Sequence, residues 1–317
     1  VPMTLTIQSH LSEMGNILFY FLKEVHQSFS LINSYIYAII CIMRFLLNAG
    51  VGWCGTTPFY FTLAKDYCHA GHQKENAYLK LLTQVPDDKL ERFLADKRKQ
   101  VLPQDQWVQI VDNSIALDDD LYAPPYTLDR YVDYYRKLYE KTKSNYHAVA
   151  DFSTANFKLP EDFLVELRDK LSQYFDVRVI ILFRDPINRY FSEVGTHLGK
   201  NSHIKRFKES LTTRKIKKHA YYVQGIQKFD RVFGKDRVMP IIMEEFWTEK
   251  NTEKLSEFLQ YPIEKIVPCV PRGGNRQEMT PELYDWALQY LGFVYDDWEN
   301  YYGAIPKYWK RFPQVLH

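Results

Sequence analysis

The sequence has little cysteine: four in 317 residues, Cys41, Cys54, Cys68 and Cys269, with no C-x-x-C pair among them. Neither a disulfide framework nor a zinc site is indicated, and a reducing compartment is expected. His69 and His72 follow Cys68, but a metal site there would need a fourth ligand that the sequence does not supply. Excess charge of either sign is also missing. Lysine and arginine number 41 against 39 acidic residues, a formal +2, so no global field draws the chain onto nucleic acid or an anionic membrane. The apolar stretch Ser28–Met43 carries Asn33 and Ser34 and falls short of the ~20 residues that cross a bilayer. It reads as a buried helix running into a strand, with a membrane anchor over 28–43 as the alternative. No secretory leader pattern opens the chain, so the cytoplasm is the expected compartment. Repeats, Gly/Ser linkers and low-complexity segments are absent as well.

What is present is an ordinary globular composition, 46% hydrophobic and 25% charged. Aromatic residues reach 16%, with 24 Tyr and 20 Phe, which suits either a wide core or sugar-stacking surfaces. Residues 1–35 show no clear period and read as an N-terminal extension; residues 36–317 read as one domain. Arg44-Phe-Leu-Leu-Asn-Ala-Gly-Val-Gly predicts a strand entering a glycine-containing turn, followed by a helix from Pro58 to Tyr67. Leu128, Tyr131, Val132, Tyr135, Leu138 and Tyr139 recur at helical spacing, with Thr127 as the expected N-cap. Pro160 opens another helix, and Val177–Phe183, apolar apart from Arg178, is a run of the kind buried in a parallel sheet. A helix over Tyr221–Phe233 stops at Gly234, a strand follows over Arg237–Met243, and Thr252–Leu259 predicts a further helix. This alternation argues for an α/β fold of three layers, P-loop-like, with a central, mostly parallel sheet flanked by helices.

Two segments carry chemistry. Gly50-Val-Gly-Trp-Cys-Gly-Thr-Thr nearly matches the G-x-x-x-x-G-K-[ST] phosphate loop, with Thr56 where that motif has lysine. Backbone N–H groups at such a turn make an anion site to which Thr56 and Thr57 add hydroxyls; a plain strand-to-helix turn is the alternative. The second segment, Arg184-Asp-Pro-Ile-Asn-Arg-Tyr-Phe-Ser, leaves the apolar strand with Asp185 as cap and Pro186 in the first helical turn. Arg184 then stands at the carboxyl end of the strand, where open α/β sheets bind ligands, and its guanidinium suits a phosphate. An Arg184–Asp185 pair at the strand end is the simpler alternative.

Together and in this order, the two segments resemble the sulfotransferases that use 3′-phosphoadenosine 5′-phosphosulfate (PAPS), and within them the heparan-type and bacterial branch. The resemblance implies that Gly52, Trp53, Cys54, Gly55, Thr56 and Thr57 surround the 5′-phosphosulfate and that Arg184 and Ser192 hold the 3′-phosphate. Lys74-Glu-Asn-Ala-Tyr resembles the family's K-E-x-x-F element, which implies catalytic roles for Lys74 and Glu75, with Glu75 as base. Pro271-Arg-Gly-Gly-Asn-Arg resembles the late loop over the 3′-phosphate, implying donor contacts from Arg272, Gly273, Gly274 and Arg276. Asp151-Phe-Ser-Thr-Ala-Asn-Phe resembles the D-x-T-P-x-Y segment, with Ala155 in place of proline. The sequence departs from the family at Trp53, which stands where members carry the lysine that contacts the bridging oxygen. Its indole N–H donates one hydrogen bond but brings no positive charge.

The function this implies is sulfuryl transfer from PAPS, leaving PAP, to a hydroxyl or amine on a small molecule or glycan, without a metal, a nucleic-acid partner or stable membrane insertion. With Trp53 in the loop, rate depends on whether Lys74, Lys65 or another cation takes over. Two other readings stay open: a catalytically impaired PAPS/PAP-binding protein, and a divergent P-loop kinase or NTPase. For Glu75 the alternative is a surface Lys–Glu pair at a helix start. The seven basic residues between Lys205 and Lys218 read as a solvated face or as a receiver of an anionic glycan, and Asp118-Asp-Asp as a loop.

Overall fold

The computed structural model describes residues 43–71, 74–100, 121–122, 124–196, 203–213, 220–246, 248–264 and 278–309. By contacts the chain divides into units 1–43 and 44–317, and apart from Met43 the described residues belong to the second. The extension expected over 1–35, the candidate anchor except Met43, Cys41, Cys269, His72 and Asp118–Asp120 lie outside the described residues.

Among the described residues five strands form one sheet: β1 (Met43–Asn48), β2 (Cys68–His69), β3 (Ala148–Asp151), β4 (Phe175–Phe183) and β5 (Val238–Ile242), in the order β2-β3-β1-β4-β5. β1 and β2 each pair with β3 in parallel, and β4 pairs with β5 in parallel from Val179↔Val238 to Phe183↔Ile242. Beyond β1 the chain still advances along β4, through Ala49 N–H to the Ile180 carbonyl (2.8 Å) and Val51 N–H to the Leu182 carbonyl (3.2 Å). The apolar character of the run read in the sequence has this cause: its unbroken part, Val179 to Phe183, is buried on both faces of the sheet.

Helices flank the sheet. They are α1 (Thr56–Ala64), α2 (Tyr78–Gln84), α3 (Asp87–Gln100), α4 (Leu128–Thr142), α5 (Glu161–Leu171), α6 (Pro186–Thr196), α7 (His203–Thr212), α8 (Tyr222–Phe233), α9 (Glu249–Leu259) and α10 (Pro281–Tyr302). The fold is therefore α/β with a central five-stranded parallel sheet. α4 shows how the aromatic content is used. Thr127 caps it by accepting the Arg130 N–H (3.2 Å), and Tyr131 and Tyr135 pack edge-on around Phe45 of β1. The Tyr131 hydroxyl donates to Asp151 at the end of β3 (2.8 Å), so this buried ring also fixes the sheet's carboxyl edge.

Boundaries differ from the sequence reading by one to three residues in several elements, and three of the differences are informative. α1 starts two residues before Pro58, because Gly55 turns left-handed (φ 74°) and the helix begins directly after it. A 3₁₀ turn at Lys235–Arg237 takes the first residue expected for β5, and α9 begins at Glu249 rather than Thr252. Among the described residues no helix is long and apolar enough to cross a membrane.

Candidate functional site

The segment between β1 and α1 turns sharply off the edge of the sheet. Asn48 is buried, and its side-chain oxygen accepts the Gly50 N–H (2.9 Å), which turns the chain off the sheet. Trp53 (φ 71°) and Gly55 (φ 74°) are both left-handed. For a tryptophan that conformation costs on the order of 1–3 kcal/mol and persists only where its surroundings hold it. At Gly55 a Cβ would also sit 2.9 Å from the Met243 side chain. The opposite condition holds at Gly52, where a Cβ would meet nothing nearer than the Thr154 hydroxyl at 4.0 Å. α1 then begins with Thr56 and Thr57, has no side-chain cap and has no acidic residue in its first turn. Its first N–H groups thus lack the internal acceptor that a capped helix supplies, which favours an anion from outside.

The segment after β4 meets this loop. Asp185 is buried and caps α6 through the Asn188 N–H (2.9 Å), while its second oxygen takes the hydroxyls of Tyr284 (2.8 Å) and Tyr295 (2.9 Å) from α10. Its carboxylate is spent on the helix start and on α10, in place of the simple pairing with Arg184. Arg184 donates through Nη1 to the Ser192 hydroxyl (3.1 Å), about two turns into the helix. The same nitrogen makes a long contact of 3.5 Å to the Trp53 carbonyl, and the Tyr222 hydroxyl donates to the Arg184 carbonyl (3.1 Å). Arg189, from the same motif, donates through Nε to the Gly52 carbonyl (3.0 Å) and pairs with Glu193 (2.7 Å).

Lys74 and Glu75 border the loop from the other side. Lys74 Nζ lies 2.7 Å from Glu75 Oε1 and 3.5 Å from the Thr56 hydroxyl, and its side chain is only 13% exposed. Glu75 Oε2 accepts from the Thr154 N–H (3.0 Å) and faces its hydroxyl (3.3 Å). Local geometry makes this possible. Ala77 is left-handed (φ 54°), its N–H donates to Ser153 (2.9 Å), and Asn76 bonds to Tyr135, Tyr122 and the Tyr78 N–H. The segment is thereby pinned to the end of β3. The Lys–Glu pair exists and is covered unevenly: the lysine is mostly buried beside α1, Glu75 borders solvent, and α2 begins three residues after Glu75. Lys65 is 63% exposed beside Asp66 instead.

Two acids, the largely covered Glu244 and the buried Cys54, shape the local electrostatics. Burial pushes Glu244 up to about 7, against the nearby Arg184 guanidinium, which lowers it. Its Oε1 accepts the Asp185 N–H (2.9 Å) and stands 4.0 Å from Arg184 Nε, while Oε2 takes the Trp309 indole N–H (3.3 Å). Burial pushes the Cys54 thiol up to about 12 despite Arg189 and Arg184 nearby. Since the thiolate is the reactive form, Cys54 should alkylate about a thousandfold more slowly at pH 8 than a free cysteine. Peptide mapping after timed iodoacetamide treatment checks this, and rapid labelling of Cys54 would contradict it.

Gly52, Trp53, Cys54, Gly55, Thr56, Thr57, Lys74, Glu75, Arg184 and Ser192 thus stand at one carboxyl edge of the sheet. Arg272, Gly273, Gly274 and Arg276 lie outside the described residues, as do residues 214–219 of the basic run. Sequence reasoning missed Arg189, Glu244 and Thr154 as site neighbours. Arg189 lies inside the Arg184–Ser192 motif, and Glu244 stands two residues beyond β5, at the carboxyl end of a parallel strand, where a polar residue is itself a signal. Among the described residues no group of three or more His, Cys, Asp or Glu side chains is arranged to hold a metal ion.

No protein-family model and no curated protein matches the sequence. The structure is similar to that of a sulfotransferase from Alicyclobacillus acidocaldarius, with a TM-score of 0.50 and 15% identity, covering 85% of this chain and 99% of that one. Weaker similarity, TM-score 0.39 and 12% identity in each case, extends to two further structures. Sulfotransferase STF9 from Mycobacterium avium covers 86% of this chain and 80% of its own, and a sulfotransferase domain from the curacin biosynthetic pathway covers 75% and 81%. At such identities the likeness is one of fold.

Proposed function

We propose that the chain is a sulfotransferase that takes a sulfuryl group from PAPS and passes it to a hydroxyl or amine of a small molecule or glycan. The observation that carries this reading is the contact of Arg184 with both Ser192 and the loop carbonyl of Trp53, which brings the two anion-suited segments onto one edge of the sheet. The donor set fits a nucleotide with phosphate at both ends. Thr56, Thr57 and the uncapped start of α1 would hold the 5′ end, with Gly52 leaving open space beside it, and Arg184 with Ser192 would hold the 3′-phosphate.

When bound, the nucleotide supplies a sulfuryl group whose transfer, like phosphoryl transfer, needs in-line alignment and charge neutralisation. The chain's own work is then positional and electrostatic. Lys74, beside Thr56, brings to the loop the positive charge that Trp53 does not carry. Glu75, oriented by Lys74 and by Thr154, would take the proton of the acceptor. Calorimetry with PAP followed by a sulfate-transfer assay tests the reading. Saturable binding with transfer supports it; no PAP binding, or preference for ATP with magnesium, overturns it. Trp53 favours one second reading, a protein that binds the nucleotide without turnover, and binding without transfer would select that.

Glu244 gives the site a pH dependence. As pH rises through about 7 it loses its proton and places a negative charge 4.0 Å from Arg184. A phosphate at Arg184 disfavours that ionisation, so its binding is linked to proton uptake and weakens as pH rises. PAP affinity should fall about three- to tenfold between pH 6.5 and 8.5, and Glu244→Gln should flatten the profile. Calorimetry across that range measures both, and an unchanged slope in the variant removes Glu244 as the cause.

A further inference from the structure

Arg189 is almost fully buried and lies on the same face of α6 as Ser192, yet it does not face the open side of the loop. Its Nε–H donates to the Gly52 carbonyl (3.0 Å), its other arm is held by Glu193 (2.7 Å), and its side chain is 3% exposed. One residue on, the Trp53 carbonyl faces Arg184 at 3.5 Å. In a planar trans peptide the carbonyl and the following N–H point in opposite directions. Drawing the Gly52 and Trp53 carbonyls toward α6 therefore turns the N–H groups of Trp53 and Cys54 away from it. Left-handed Trp53 needs such a restraint, since a bulky residue seldom adopts φ 71° unaided.

We propose that Arg189 is a positioning residue for the phosphate loop: by holding the Gly52 carbonyl it sets the direction of the loop amides that receive the donor's 5′ end, without touching the donor. This rests on the nucleotide reading above. It separates two arginines of one motif, Arg184 serving the 3′ end directly and Arg189 serving the 5′ end through the backbone, across 137 residues of sequence.

The test is calorimetric binding of PAP and of adenosine 3′-phosphate to the wild-type chain, Arg189→Met, Glu193→Gln and Arg184→Met. A buried charge-assisted hydrogen bond of this kind predicts that Arg189→Met weakens PAP about tenfold or more while adenosine 3′-phosphate stays within about twofold. Glu193→Gln, which changes a partly exposed side chain, should move the same ratio in the same direction by about threefold and covers the case of an unstable Arg189 variant. Arg184→Met should weaken both ligands. A ratio unchanged in Arg189→Met, or in Glu193→Gln where the first variant does not fold, overturns the proposal, because a merely structural role would lower both affinities together. Failure of the wild-type chain to bind PAP overturns the nucleotide reading and this inference with it.

Discussion

Glu75→Gln should lower sulfate transfer about 10²–10³-fold while PAP binding stays within about twofold. The two readouts separate because of where the side chain sits. Glu75 is 43% exposed, so its carboxylate borders solvent, and both its contacts come from the chain itself: Lys74 on Oε1, the Thr154 backbone and hydroxyl on Oε2. Glutamine preserves the shape and can still accept the Thr154 N–H, so the segment pinned by Asn76 and Ala77 keeps its place. What it removes is the capacity to take a proton. Steady-state rates beside calorimetry decide the matter: unchanged turnover with intact binding would remove Glu75 from the mechanism, and a loss of binding would make it a structural prop of the loop.

The parts of the fold legible in the sequence are those whose signal is local. The apolar run of β4, the Asp185-Pro186 start of α6, the Thr127 cap and Gly234 after α8 each follow from a few adjacent residues, and each is where the sequence puts it. α10 was missed although Thr280, Pro281 and Glu282 form a standard helix opening, with Thr280 accepting the Leu283 N–H. Its run of Tyr and Trp on several faces blurs the period that would otherwise mark it. β2, two residues long, has no period at all and exists only because β3 lies beside it.

The site divides the same way. The loop glycines and the Arg184–Ser192 spacing are motif features, readable in one dimension. The approach of Lys74 to Thr56, of Glu244 to Arg184 and of Arg189 to Gly52 depends on strand order, because each joins segments that only the sheet brings together. Lys74 and Lys65 were equivalent candidates in the sequence. They part in three dimensions because Asn76 and Ala77 anchor one of them to the end of β3, whereas the other sits at the far end of α1.

Lys74→Met should reduce transfer about 10²–10³-fold, the loss typical for removing one donor to a developing anion in a site of this kind. The argument turns on Trp53. If the loop worked with no cation near its helix start, Lys74 would be dispensable and Trp53→Lys alone would raise the rate sharply. With Lys74 Nζ already 3.5 Å from the Thr56 hydroxyl and its side chain mostly covered, charge is in place and the added lysine has little to supply. Trp53→Lys in the otherwise unchanged chain should therefore alter the rate by less than about threefold, whereas in the Lys74→Met background it should recover at least about tenfold of the loss. Nonadditivity of that sign, read from single-turnover rates of the four chains at saturating donor, identifies Lys74 as the cation that replaces the loop lysine. Additive effects would mean that the two positions serve unrelated ends, and an unaffected Lys74→Met chain would leave Lys74 as no more than the partner that orients Glu75.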